Sequence, residues 1–307
     1  MVAAAQPRVP SVSSKLSGAP AVTVGVGYRR ALDRWLGDHL HHFDVIEITV
    51  DHCLSGNAVS AAIYDLVGRV PLTAHGIGLS IGTDAPLDLA YLDRVATVID
   101  RLGAPHYSEH LAFTRVPGRD LANLLPFPKT EATAVMVIDK VRQVQSSLSV
   151  PFLLENIAYL FDWPDSTFSE AEFFGLICGE TGAGMLLDIA NLHANAGNHR
   201  FDAYEFLDAL PAAIVKQVHI AGGIFIEGDF PVQPLLADSH SHPVPEAAFE
   251  LLDYALARCA PASVILERDE RLDATDEILD DVARIRAHLA CPIEKHPDTE
   301  AIAGSTS

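Results

Sequence analysis

Gly184-Met185-Leu186-Leu187-Asp188-Ile189-Ala190-Asn191-Leu192-His193-Ala194-Asn195-Ala196-Gly197-Asn198-His199 is the stretch on which the fold turns. A short apolar run stops on an acid, and amides and imidazoles follow at once. Four to eight apolar residues bounded by polar ones read as a buried strand. An ionised Asp188 at the tip of such a strand is costly unless it is paired, hydrogen-bonded or bound to a metal. For either residue alone, Asp188 or Asn191 capping the next helix accounts for the pattern. Capping does not account for the return of the same arrangement at strand end after strand end.

Working outward, Val150–Leu154 delivers Glu155-Asn156, and a short strand at His106-Tyr107-Ser108 delivers Glu109-His110. Val70–Ala74 delivers His75 into a glycine-rich loop, and Asp44–Thr49 leads to Asp51-His52. The first strand, Val22–Gly27, ends in glycine; Gly25 and Gly27 lack the third glycine and the acid of a dinucleotide fingerprint. Downstream, Val215–Val218 delivers His219, a long loop carries Asp238-Ser239-His240-Ser241-His242, and Ala262–Leu266 delivers Glu267-Arg268-Asp269. Helical stretches separate the strands, best seen in Asp88–Leu102, where Leu89, Leu92, Val95, Val98, Ile99 and Leu102 fall on one face. The segment between His110 and Lys129 reads as a polar, proline-containing loop.

Strands alternating with helices imply parallel pairing, and eight such units imply closure. The predicted fold is therefore α/β, a single-domain (β/α)8 TIM-type barrel over residues 21–291, with a flexible leader at 1–20 and a flexible tail at 292–307. Active sites of such barrels lie at the C-terminal ends of the strands. His75, His110, Glu155, Asp188, His219 and Glu267 all occupy that end and are predicted to converge at one mouth.

The formal charge of −20 argues against a nucleic-acid backbone or an anionic membrane as the main partner. No apolar run approaches bilayer length, and the leader lacks a compact apolar signal core. Cys53, Cys178, Cys259 and Cys291 stand far apart with no Cys-x-x-Cys, which points to reduced thiols and a cytoplasmic protein. There is no Gly-x-Ser-x-Gly elbow, P-loop or His-Glu-x-x-His helix.

Imidazoles and carboxylates without thiolates suit iron, manganese or zinc. The six strand-end groups together with Asp238 and His240 exceed what one tetrahedral ion uses. More than one metal is the economical reading, with carboxylates such as Glu155 bridging, and these eight residues are also the catalytic candidates. His52, Asn156, His193, Asn195 and His242 sit near the predicted mouth as candidates for touching substrate or the outer hydrogen bonds of the ligands. Glu109 is read as a support for His110. His39, His41 and His42 end a helix, where cations are favourable, and His106 and His199 read as structural.

At these residues the chain resembles a known family. Ser108-Glu109-His110-Leu111-Ala112-Phe113, Leu154-Glu155-Asn156, Asp188-Ile189-Ala190-Asn191, Val218-His219-Ile220-Ala221-Gly222, Asp238-Ser239-His240 and Glu267-Arg268-Asp269 are similar to the motifs of the multinuclear non-haem iron-dependent oxidative enzymes. The resemblance implies a TIM-type barrel holding two or three irons in mixed ferrous and ferric states, with dioxygen as co-substrate. It implies oxidation of a residue, usually cysteine, in a ribosomally made precursor peptide, alongside a partner protein that presents the peptide leader. The implied iron ligands are His75, His110, Glu155, Asp188, Asn191, His219, Asp238, His240 and Glu267, with Glu155 bridging two irons. The chain departs from its relatives at Thr49-Val50-Asp51-His52-Cys53, where many carry Glu-Asn, and after His219, where Ala-Gly-Gly replaces a histidine or an aromatic. Two alternatives stay open: a non-redox divalent-metal sugar isomerase or phosphoesterase on a similar barrel, and an iron- or peptide-binding module without turnover.

Overall fold

The computed structural model describes residues 21–228 and 234–290; the leader at 1–20, the tail at 292–307 and Cys291 lie outside the described residues. Eight parallel strands close into a barrel: β1 (Thr23–Gly27), β2 (Val45–Thr49), β3 (Leu72–Gly76), β4 (Tyr107–His110), β7 (Phe152–Glu155), β8 (Gly184–Asp188), β9 (Val215–Ile220) and β12 (Ser263–Leu266). The order round the barrel is β1-β12-β9-β8-β7-β4-β3-β2, as the alternating pattern predicts. Strands sealed on both faces need continuous apolar runs, and β2, β3, β7, β8 and β12 are buried along their whole length.

Helices α1 (Asp33–His39), α2 (Ala58–Tyr64), α3 (Leu89–Leu102), α4 (Glu131–Ser147), α5 (Glu170–Thr181), α6 (Ile189–His199), α7 (Ala203–Ala209), α8 (Glu246–Arg258) and α9 (Thr275–Ala290) run between the strands or close the chain. Their ends follow local chemistry. The Asp88 carboxylate accepts from the Tyr91 amide to start α3, and Gly103 ends it at φ 65°. Ser169 and Glu172 form a reciprocal capping box on α5. Of the periodic face of α3, Leu92, Val95, Val98, Ile99 and Leu102 are buried in one large core with Ile46, Leu72, Phe152, Leu187 and Val264, while Leu89 at its start is exposed. Each such side chain contributes roughly 1.5–3 kcal/mol by leaving water.

Two features were not legible in advance. The stretch after His110 is an antiparallel hairpin, β5 (Phe113–Val116) with β6 (Arg119–Leu125), not an irregular loop. The long loop after His219 is a second hairpin, β10 (Gly222–Ile226) with β11 (Leu235–His242). Strand β6 is largely exposed, so it carries little of the apolar alternation by which strands are recognised. Helix α6 begins immediately after Asp188, which accepts from the Asn191 amide at 2.7 Å. The cap and the strand-end acid are thus one residue. Gly25, which hints at a nucleotide loop in the sequence, lies within the barrel wall, where a Cβ would collide with Val45.

A cavity of about 1150 Å³ opens at the opposite, N-terminal end of the barrel beside Val22, Thr73, His106 and Ser263. The strand-end carboxylates and imidazoles do not line it. Among the described residues, no helix is long and apolar enough to cross a membrane.

Candidate metal centre

The barrel brings His75, His110, Glu155, Asp188, His219 and Glu267 together. The first five are the last or near-last residues of β3, β4, β7, β8 and β9, and Glu267 follows β12 directly. Parallel register sets them level: His110 pairs with Glu155 across β4 and β7, and Asp188 with His219 across β8 and β9. Two groups of side chains could each hold an ion, His75–His110–Glu155 and Glu155–Asp188–His219–Glu267, and Glu155 belongs to both.

Glu155 sits at the hub. Its Oε2 is 3.3 Å from His75 Nε2 and 3.2 Å from His110 Nε2, while its Oε1 is 3.0 Å from His219 Nδ1. His219 Nδ1 is also 3.2 Å from Glu267 Oε2. A third pair, Asp238 and His240 on β11, closes in at 2.6 Å between Oδ1 and Nε2. His240 has a left-handed backbone, φ 47°, locked by its carbonyl accepting from the Asp269 amide at 2.8 Å. Such strain costs on the order of 1–3 kcal/mol and persists where surrounding structure over-determines it.

Buried polar groups are almost always hydrogen-bonded. Yet Glu155 Oε2, Asp188 Oδ2, Asn191 Oδ1, His219 Nδ1, Asp238 Oδ1 and His240 Nε2 are buried with no aligned hydrogen bond. All six belong to the ligand set that the resemblance implies; Thr73, Arg258, Ser263 and Arg268 each have one such atom outside it. Their close approach without hydrogen-bond alignment is the geometry of donors turned toward shared centres, and the donor chemistry, nitrogen and oxygen without sulfur, fits iron, manganese or zinc.

The charges of these side chains oppose one another. Burial would raise the Glu155 carboxyl, but His110, His75 and His219 outweigh it and hold the group at about 2. Burial would lower His110, but Glu155 and Glu109 push it up to about 9. Burial, then the charges of Asp238 and Glu155, lift Asp188 to about 8. Burial opposes but does not prevent the rise of His219 and His240 above their ordinary range, driven by Glu47 and Glu267 for the first and by Glu267 and Asp238 for the second.

A second layer fixes the first. His75 Nδ1 meets Ser108 Oγ at 2.9 Å, and His110 Nδ1 meets the Gly76 carbonyl at 3.1 Å. Glu109, read from the sequence as the support of His110, accepts from the His110 amide at 3.1 Å, the Leu79 amide at 3.0 Å and the Tyr107 hydroxyl at 3.1 Å. Arg29 bridges Glu267, at 3.2 Å, and Asp269, whose other oxygen meets His240 Nδ1 at 3.0 Å.

The five substrate-facing candidates divide. Asn156 and Asn195 have both ends of their amides engaged by backbone: Asn156 with Asp188, Asn195 with Ile157 and Tyr159. These amides act as clamps on the backbone around the centre. His193 is half-buried and lines a small cavity of about 70 Å³ with Phe225, Leu236 and Asp238. His52 is exposed in the turn after β2, where burial and the nearby Arg29 charge lower its pKa. His242 is exposed at the end of β11, its Nδ1 2.7 Å from Ser241 Oγ. None of these three histidines joins the two ion-holding groups.

Sequence reasoning missed Arg29 and Glu47. Glu47 is 3 % exposed in mid-strand on β2, 2.8 Å from His219 Nε2. The available signal was an acid inside the β-branched run Val45-Ile46-Glu47-Ile48-Thr49, a position that faces the barrel interior or a costly apolar wall.

The family of RiPP precursor modification enzymes described as MbnB/TglH/ChrH matches residues 23–290. The chain belongs to that family. A UPF0276 protein of Caulobacter vibrioides is 34% identical over 246 residues, covering 79% of this chain and 86% of its own. A UPF0276 protein of Acinetobacter baylyi is 32% identical over 268 residues, covering 86% and 90%. Among solved structures, the IOLI protein with a bound zinc atom superposes with a TM-score of 0.57 at 15% identity, over 87% of this chain and 98% of that one. Endonuclease IV of Thermus thermophilus gives 0.56 at 18%, over 87% and 99%. D-psicose 3-epimerase with D-fructose gives 0.53 at 13%, over 87% and 97%. At these identities the structural likeness establishes the barrel fold.

Proposed function

We propose that this member of the family is an iron- and dioxygen-dependent oxidoreductase that oxidises a residue, cysteine by preference, in a ribosomally synthesised precursor peptide. The observation that carries the reading is the set of six buried nitrogen and oxygen atoms without aligned hydrogen bonds, arranged about two groups that share Glu155. His75, His110 and Glu155 would hold one iron; Glu155, Asp188, His219 and Glu267 a second; Asp238 and His240, with Asn191, would serve a third. When bound, the irons supply Lewis acidity, a coordination position for a substrate thiolate and electron transfer to dioxygen. The chain's own part is to keep the donors aimed, through Glu109, Ser108, Asp269 and Arg29, so that little reorganisation remains at the moment of reaction. With no thiolate among the chain's donors, the substrate's sulfur is the one soft ligand in this scheme.

A leader-binding partner protein that presents the peptide belongs to the same proposal, as does a cytoplasmic location. The test is co-expression with a cysteine-containing precursor peptide under iron-replete conditions, followed by peptide mass spectrometry and oxygen-uptake measurement. The expected result is an oxidative mass change that depends on dioxygen. Full turnover without dioxygen, or with zinc as the only metal, overturns the proposal. The second of these outcomes would favour a non-redox divalent-metal reaction of the kind named for the sugar epimerases that share this fold.

A further inference from the structure

The histidines of the centre do not all face it in the same way. His75 and His110 present Nε2 to Glu155 and tether Nδ1 to Ser108 Oγ and the Gly76 carbonyl. His219 is reversed: Nδ1 faces Glu155 and Glu267, at 3.0 and 3.2 Å, and Nε2 points back into the barrel. What meets it there is Glu47 Oε1 at 2.8 Å, reaching across the interior from β2. The two strands are separated by β1 and β12 in the barrel order, so this is a contact through the lumen and not along a ladder.

Glu47 is itself held. Its Oε2 accepts from Gln217 Nε2, and Gln217 Oε1 meets His106 Nε2, forming a polar column along the barrel axis from the centre toward the N-terminal cavity. Gln217 is fully buried and Glu47 nearly so. A carboxylate in such a place costs several kcal/mol unless geometry and partners are good, and both of its oxygens are taken, one by the amide and one by the imidazole. A carboxylate accepting the second N–H of a metal-binding histidine fixes the ring's tautomer and orientation and raises its basicity.

We propose that Glu47 is the positioning residue of His219: it accepts a hydrogen bond from Nε2–H, leaves the Nδ1 lone pair free for an ion, and thereby completes the ion-holding group of Glu155, Asp188, His219 and Glu267. Gln217 and His106 hold Glu47 in that pose. The assignment rests on the proposed metal-dependent function, and the metals themselves provide a readout independent of turnover.

The experiment titrates apo protein with ferrous iron anaerobically, and separately with cobalt(II), against a competing chelator. Wild type is compared with Glu47→Gln, which keeps an acceptor oxygen in place, and with Glu47→Asp and Glu47→Leu, which withdraw or remove it. Loss of such an outer partner weakens metal binding about 10–100-fold. Glu47→Asp and Glu47→Leu should lose affinity on that scale at one site only and shift the cobalt absorption spectrum, while Glu47→Gln stays close to wild type in affinity. Should Glu47→Leu fail to fold, the Gln and Asp variants decide. Folded Asp or Leu variants that bind metal with wild-type affinity and spectrum overturn the assignment and leave the proposed function standing. Wild-type protein that takes up no ion overturns both.

Discussion

Asn156 and Asp188 hold each other twice: Asn156 Nδ2 donates to the Asp188 carbonyl at 2.9 Å, and the Asp188 amide donates to Asn156 Oδ1 at 2.9 Å. The pair ties the tip of β7 to the tip of β8 at the point where the ladder ends, and it sets the direction from which the Asp188 carboxyl enters the centre. Asn191 Nδ2 adds a third bond, to the Asn156 carbonyl, at 3.0 Å.

Replacing Asn156 with alanine leaves a buried backbone donor and acceptor unpaired. At roughly 1–3 kcal/mol for each of the two unsatisfied groups, the apo protein should lose about 2–6 kcal/mol in urea unfolding, and metal content should fall with it. Unchanged stability would show that the clamp is replaced by solvent or relaxation.

Glu155 belongs to both ion-holding groups. Its substitution by alanine should therefore remove more than one ion per chain, whereas His240→Ala should remove no more than one. Metal content measured on the folded variants separates the two outcomes, and equal losses would argue against a bridging role.

The ion-free site carries protons that metals must displace. His110, with a folded pKa of about 9 against an ordinary 6.5, adds stability below pH 6.5 that is lost as pH rises through about 9. Asp188, raised from 3.8 to about 8, works in the same direction: its contribution is complete below 3.8 and lost through about 8. Glu155, depressed from 4.5 to about 2, works the other way, and its contribution is lost only in strong acid. Apo protein should thus become less heat-stable from pH 6.5 to 9, metal affinity should rise over the same range, and metal addition should release protons. A pH-independent affinity would contradict this.

Arg29 joins Glu267 to Asp269 and is 17% exposed at its side chain. Arg29→Met keeps the apolar stem and removes the cation, so Glu267 and, through Asp269, His240 lose their anchor. Metal affinity should fall on the order of tenfold, checked by chelator competition. Arg29→Lys should recover only part of it, since one ammonium cannot reproduce the fork.

The barrel was legible because apolar runs ending in ionisable residues recur at most of the strand tips, and β8 with Asp188 shows the whole argument in five residues. The ligand candidates were legible for the same reason: burial at a strand end is a position where only function or pairing tolerates charge. The two hairpins were hidden because strands such as β6 bury little of their surface, so their sequence resembles a loop. The two roles offered for Asn156 and Asn195 could not be separated beforehand because a side-chain amide that clamps backbone and one that awaits a ligand look identical in sequence. Glu47 and Arg29 escaped notice because their roles depend on what lies across the barrel, a relation that no local spacing encodes.

The central claim is that these strand-end side chains hold more than one iron. Elemental analysis of protein expressed with ample iron and purified anaerobically tests it most directly. The account predicts more than one iron per chain, largely lost in a folded Glu155→Ala variant. Protein that emerges without iron, or that works fully with zinc alone, would contradict it.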